Sequence, residues 1–118
     1  MGMKIVLAHA LTRHHALLRN VRTQHLFVDL SGVVEWPWFM SDRGSDYSPE
    51  AVKFARELVT SVRAFGVERV LFGSDMPVFT PSEARFLLER LPLEASERRA
   101  ILVENAQRAF PAWPKACP

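Results

Sequence analysis

A single cysteine, Cys117, is the most telling shortage in these 118 residues. It excludes an internal disulfide framework and fits a reducing, cytoplasmic setting. No apolar run approaches the roughly 20 residues that a bilayer-spanning helix needs, so no membrane role is expected. One short apolar opening, Ile5 to Leu11, has the look of a signal-peptide core. It is broken by His9 and runs into Arg13-His14-His15 with no small-residue cleavage site. Blocks of one charge are also missing: 15 basic against 13 acidic residues leave +2 at pH 7. Arg19, Arg22, Arg56, Arg63, Arg85, Arg98 and Arg99 are scattered among acids, which reads as a solvated surface and excludes a nucleic-acid footprint. Repeats and low-complexity segments are absent. The length allows at most one small domain, and a 48% apolar content is ordinary for a chain that folds.

What is present alternates between two patterns. Lys4–Ala8 reads as a strand and Ala10–Arg22 as a helix, with Leu11, Leu17, Leu18 and Val21 near helical spacing. Leu26–Leu30 is a second strand, stopped by Ser31-Gly32. Val33 to Tyr47 has no period but carries Trp36, Trp38 and Phe39 ahead of a polar run, as a long functional loop does. Ser48 then caps a helix with Pro49 in its first turn and Gly66 at its end. Arg69–Phe72 is a third strand. Thr80-Pro81-Ser82-Glu83 is a capping box, and its helix aligns Ala84, Leu87, Leu88 and Leu91 before Pro92. The last helix runs from Glu94 to Phe110 with Ile101, Leu102, Ala106, Ala109 and Phe110 inward. Residues 1–110 form the folded portion and 111–118 a loose Pro-rich tail. Strands alternating with helices imply a parallel sheet. Three such strands expect neighbours on both edges, so the chain reads as a piece of something larger, with an exposed edge that favours oligomerisation.

Two strands end in chemistry. Lys4-Ile5-Val6-Leu7-Ala8 runs into His9, and Val70-Leu71-Phe72-Gly73-Ser74 into Asp75. In α/β proteins active sites lie just beyond the carboxyl ends of parallel strands. His9 and Asp75 are therefore the candidate catalytic pair.

Four pieces occur in order: Ile5-Val6-Leu7-Ala8-His9, Leu26-Phe27-Val28-Asp29-Leu30-Ser31-Gly32, Val70-Leu71-Phe72-Gly73-Ser74-Asp75-Met76-Pro77, and Ile101 through Asn105-Ala106 to Phe110. Together they resemble the C-terminal part of the amidohydrolase-related metal-dependent hydrolases, the branch that includes aminocarboxymuconate-semialdehyde decarboxylase. The resemblance implies a partial TIM (β/α)₈ barrel equivalent to its last three βα units, strands 6, 7 and 8. It implies that His9 lies beside a metal-bound water or the substrate, and that Asp75 binds or neighbours a divalent metal, most often zinc, and shuttles a proton. The implied reaction is hydrolysis or non-oxidative decarboxylation of a small carboxylated molecule. Many members follow the histidine with glycines, where this chain has Ala10-Leu11-Thr12, which implies a differently shaped loop.

The family's H-x-H does not occur here. A zinc site takes three or four protein ligands, so the metal is expected only with the rest of the barrel present. The alternative reading is non-catalytic: a truncated fragment, or a half-barrel that folds against a complementary chain or a second copy. Trp36 and Trp38 line a substrate pocket or pack on outer helices. Arg43 meets a substrate carboxylate through its planar fork or is a solvated loop charge. Asp29, in a buried-strand pattern, either finds a structural partner or faces the barrel mouth. His14, His15 and His25 read as a solvated face. Asn105 lies on the inward face and is expected to tie the last helix to a strand or loop.

Overall fold

The computed structural model describes residues 3–21, 23–32 and 49–112. Three strands, β1 (Ile5–Leu7), β2 (Leu26–Asp29) and β3 (Val70–Leu71), form one parallel sheet in the order β1-β2-β3. Ile5 pairs with Leu26, Leu7 with Val28, Val28 with Val70, and Asp29 with Leu71. Side chains alternate across a strand, so Leu7, Val28, Leu30 and Val70 share one face. Val6, Phe27, Asp29 and Leu71 share the other.

The first face carries the main core. Val28, Leu30 and Val70 pack with Leu58, Val62 and Phe65 of α1 (Pro49–Phe65) and with Leu87 and Leu88 of α2 (Pro81–Arg90). The α1 face recurs every three or four residues, Ala51, Ala55, Leu58, Val59, Val62 and Phe65, as the sequence pattern requires. Each large apolar side chain buried there is worth about 1.5–3 kcal/mol. Gly66, at φ +121, ends the helix as expected, its N–H donating to the Val62 carbonyl at 2.9 Å. The Thr80 box is also in place: Glu83 N–H donates to Thr80 Oγ1 at 3.2 Å, and Thr80 N–H to Glu83 Oε2 at 2.7 Å. Among the described residues, the second face carries a small cluster of Phe27, Leu71 and Ala109. Ile5 and Val6 remain 48% and 38% exposed on β1.

The expected first helix takes a different form. Ala8–Asn20 is a 3₁₀ helix, entered through left-handed backbone at His9, Ala10 and Leu11 (φ +62, +46 and +60). Three residues per turn stack positions i and i+3 on one side. His15, Leu18 and Val21 therefore turn to the core, and Leu17, expected inward, is 58% exposed. The same tight turn overturns the solvated reading of His15, which is buried. His14 and His25 are exposed as expected.

The closing helix also departs in detail. α3 (Ala95–Arg99) leads through a π-helical turn (Ala100–Glu104) into α4 (Asn105–Ala109). The wider turn narrows the inward stripe to Ile101, Asn105 and Ala109, leaving Ala106 and Phe110 exposed and Leu102 half-buried. Asn105 does what its position promised. Fully buried, it donates through Nδ2 to the Val67 carbonyl at 2.7 Å and the Val70 carbonyl at 2.8 Å, fastening the helix to the start of β3. Trp36, Trp38, Arg43, Ser48 and the tail from 113 lie outside the described residues. Among the described residues no helix is long and apolar enough to cross a membrane.

Candidate active site

All three strands end at one place. Beyond β1, His9 adopts φ +62, and its N–H donates to Asp29 Oδ1 at 3.1 Å. Beyond β2, the chain turns through Ser31 and Gly32. Ser31 donates twice to the same Asp29 oxygen, from its N–H at 3.0 Å and its Oγ–H at 2.5 Å. The Ser31 carbonyl faces His9 Nδ1 at 2.6 Å, with Ser31 Oγ 3.2 Å from the same nitrogen. A carbonyl only accepts, so Nδ1 carries the proton. In neutral His9 the free lone pair is then on Nε2.

Beyond β3, Asp75 is exposed and also left-handed, at φ +69. Its carbonyl accepts from Val78 N–H at 2.9 Å and Phe79 N–H at 3.3 Å, which starts the turn into α2. Gly32 joins the three strand ends. At φ +68, a Cβ on Gly32 would lie 2.7 Å from His9 Nδ1, 3.1 Å from His9 Cε1 and 3.4 Å from Asp75 Oδ2. The imidazole and the carboxylate thus bound the same methyl-sized space, and only glycine leaves it open. Gly73 serves a similar purpose one strand over, since a Cβ there would meet Ser31 Cβ at 3.0 Å.

Among the described residues, the four non-glycine residues with positive φ, His9, Ala10, Leu11 and Asp75, all lie past strand ends. Each costs about 1–2 kcal/mol. Strain of this kind persists where the surroundings over-determine it, and it concentrates at functional sites. At Ala10 and Leu11 the backbone takes a glycine-like course without glycine, held by the burial of Ala10 and by the Asp29 bond to His9.

Sequence reasoning chose His9 and Asp75, and the structure brings them together. Trp36, Trp38 and Arg43 fall outside the described residues. Asp29, with both readings open, lies in the site. Ser31 and Gly32 were missed as site residues, although a signal existed: Ser31 follows Asp29 by two, the spacing at which an Asp side chain meets a backbone N–H in a turn.

The residues fit a metal ion only in part. Among the described residues there is no group of three His, Cys, Asp or Glu side chains able to hold one. His9 Nδ1 is engaged by Ser31, and Asp29 Oδ1 accepts three hydrogen bonds. Asp75, His9 Nε2 and Asp29 Oδ2 remain open, but they do not gather into a set able to hold an ion. On their own, the described residues do not form a metal centre.

The other buried histidine stands apart. His15 Nδ1 meets Ser61 Oγ at 2.9 Å, and Arg19 Nε donates to the same oxygen at 3.1 Å. The Ser61 hydroxyl donates to the Glu57 carbonyl at 3.0 Å, so it accepts from both. Phe54 packs edge-on against the ring at 5.6 Å. Burial lowers the His15 pKa; the Glu57 charge opposes that shift and the Arg19 charge adds to it.

Residues 2–112 match the amidohydrolase family. No curated relative matches the sequence. Among solved structures, the chain is similar to an amidohydrolase from Burkholderia multivorans with bound zinc, at 31% identity and a TM-score of 0.65, over 95% of this chain and 45% of that one. It shares its fold with a dihydroxybenzoic acid decarboxylase from Polaromonas sp. JS666 with bound manganese and an inhibitor, 2-nitroresorcinol. There the identity is 19% and the TM-score 0.60, over 92% of this chain and 33% of that one. It also shares it with a 5-carboxyvanillate decarboxylase from Sphingomonas paucimobilis, at 18% identity and 0.57, over 92% and 33%. The chain thus spans less than half the length of these structures.

Proposed function

The chain belongs to the amidohydrolase family, and on that premise we propose that it supplies the last three βα units of a (β/α)₈ barrel whose catalytic face includes His9 and Asp75. The convergence of both side chains on Gly32, past the carboxyl ends of β1 and β3, carries this reading. The half-exposed apolar residues of β1 support it, since a strand of that composition is normally covered by a neighbour. The proposed reaction is hydrolysis or non-oxidative decarboxylation of a small carboxylated molecule, and the neighbours named as decarboxylases support the second. A divalent ion, zinc or another, would draw most of its ligands from strands outside this chain, with Asp75 contributing one carboxylate.

In this assembly Asp75 accepts a proton from water, and its exposure leaves it open to do so. His9 presents Nε2 to a substrate oxygen, and in its protonated form it donates there to stabilise developing charge. Trp36, Trp38 and Arg43, between β2 and α1 in the sequence, are proposed to contact substrate. The remaining barrel comes from further residues of the same protein, from a complementary chain or from a second copy.

Reconstitution with the N-terminal part of the Burkholderia multivorans amidohydrolase tests this. A stable complex should form, bind a divalent ion and turn over a member of a panel of lactones and carboxylated phenols. Asp75→Asn should abolish turnover while the complex still assembles. Full activity in Asp75→Asn removes Asp75 from catalysis. A cooperative, metal-free monomer that ignores the added half-barrel instead supports a self-standing, non-catalytic domain.

A further inference from the structure

We propose that Asp29 is a positioning residue which, through Ser31, fixes His9 as its Nδ1–H tautomer and leaves Nε2 as the only ring nitrogen free to react. The inference rests on the proposed role of His9, but the geometry behind it is independent of any substrate. Asp29 Oδ1 accepts three hydrogen bonds, and each one constrains the imidazole from a different direction. The bond from His9 N–H holds the backbone at φ +62, a conformation that a non-glycine residue does not keep unaided. The bond from Ser31 N–H fixes the turn after β2, so the Ser31 carbonyl points at Nδ1 from 2.6 Å. The bond from Ser31 Oγ–H commits that hydroxyl as a donor to the carboxylate. Its oxygen can then only accept from the ring, 3.2 Å away. Both oxygens facing Nδ1 are therefore acceptors, and a neutral ring answers two acceptors only by placing its proton there.

The turn after β2 explains how one residue reaches so far. Ser31, two residues past Asp29, is folded back so that its N–H and Oγ–H both reach the same carboxylate oxygen. Gly73 lets β3 approach Ser31 closely enough to support the turn from behind. A carboxylate that merely capped a turn would need only the Ser31 N–H. The bond to His9, on another strand end, and the hydroxyl bridge to the ring go beyond that.

The test is the ring protonation state of His9, read from long-range ¹H–¹⁵N spectra of the full chain at neutral pH. In its neutral form, wild-type His9 should carry its proton on Nδ1. Asp29→Ala should shift the ring to a mixture or to the Nε2–H form, with the remaining amide spectrum unchanged. Asp29→Asn, which keeps an acceptor oxygen in place, should restore the wild-type pattern. A wild-type His9 protonated on Nε2 overturns the inference, as does an Asp29→Ala protein that keeps the Nδ1–H form. If Asp29→Ala does not fold, Asp29→Ser carries the same test, since its shorter side chain cannot reach both the His9 N–H and the Ser31 turn. It should populate the second tautomer, and an unchanged pattern there contradicts the proposal. A reconstituted complex that lacks activity while the tautomer results hold overturns the proposed function alone and supports the inference.

Discussion

His9 and His15 sit on one short stretch of chain, yet their surroundings oppose each other. His9 begins a left-handed turn, is half-buried, and lies beside the Asp29 carboxylate and across Gly32 from that of Asp75, with Nε2 uncommitted. His15 is buried in the core, bonded to a hydroxyl and packed on Phe54. One site accepts backbone strain and leaves a nitrogen free. The other bonds its Nδ1 to Ser61 and packs its ring edge-on against Phe54. The difference shows how the fold separates reactivity from stability within a single helical segment.

The largest way to break the contrast is at its structural pole. Ser61→Val removes the oxygen that accepts from His15 Nδ1 and Arg19 Nε. We expect a loss of about 1–3 kcal/mol in urea-induced unfolding, from buried His15 losing its acceptor, with the His9 spectrum unaltered. Next comes Gly32→Ala at the functional pole. A Cβ 2.7 Å from His9 Nδ1, on a residue at φ +68, should cost about 1–3 kcal/mol and displace the ring. Both effects are measurable by denaturation and by the His9 resonances. If stability is unchanged and the ring unmoved, the close approach of the three strand ends is wrong.

Acid sharpens the contrast further. Burial holds the His15 pKa below its ordinary value, so the unfolded chain takes up that proton first as pH falls through about 6.5. The His15 contribution is therefore complete above that pH and declines below it. Stability of wild type should fall between pH 7 and 5, and His15→Leu should lose that part of the slope. The smallest expected effect lies away from both histidines. Thr80→Ala removes the α2 cap and should cost about 1 kcal/mol without touching either ring.

The sequence patterns that proved legible were those governed by one dominant rule. Gly66 ends α1, Thr80 and Glu83 cap α2, and Asn105 anchors the closing helix, because a cap or a buried amide has few ways to be satisfied. The strand ends were legible for the same reason: apolar runs stop where polar residues must face solvent or substrate. His15 and Leu17 were misread because α-helical spacing was assumed where the chain winds at three residues per turn. The inward placing of Ala106 and Phe110 failed at the π turn, whose wider winding leaves no mark in local composition. The Asp29–Ser31–His9 network joins two strand ends distant in sequence. Its two-residue spacing was readable, but its partner was not.

The most direct measurement compares turnover of the reconstituted complex carrying His9→Gln with that carrying His15→Gln, each normalised to folded protein. A catalytic His9 should lose at least about 100-fold in turnover on His9→Gln at near wild-type stability, the scale of a lost proton-transfer or charge-stabilising group. His15→Gln should keep wild-type turnover per folded molecule with a lowered unfolding midpoint. Equal losses of turnover, or an active His9→Gln complex, would contradict the catalytic role of His9.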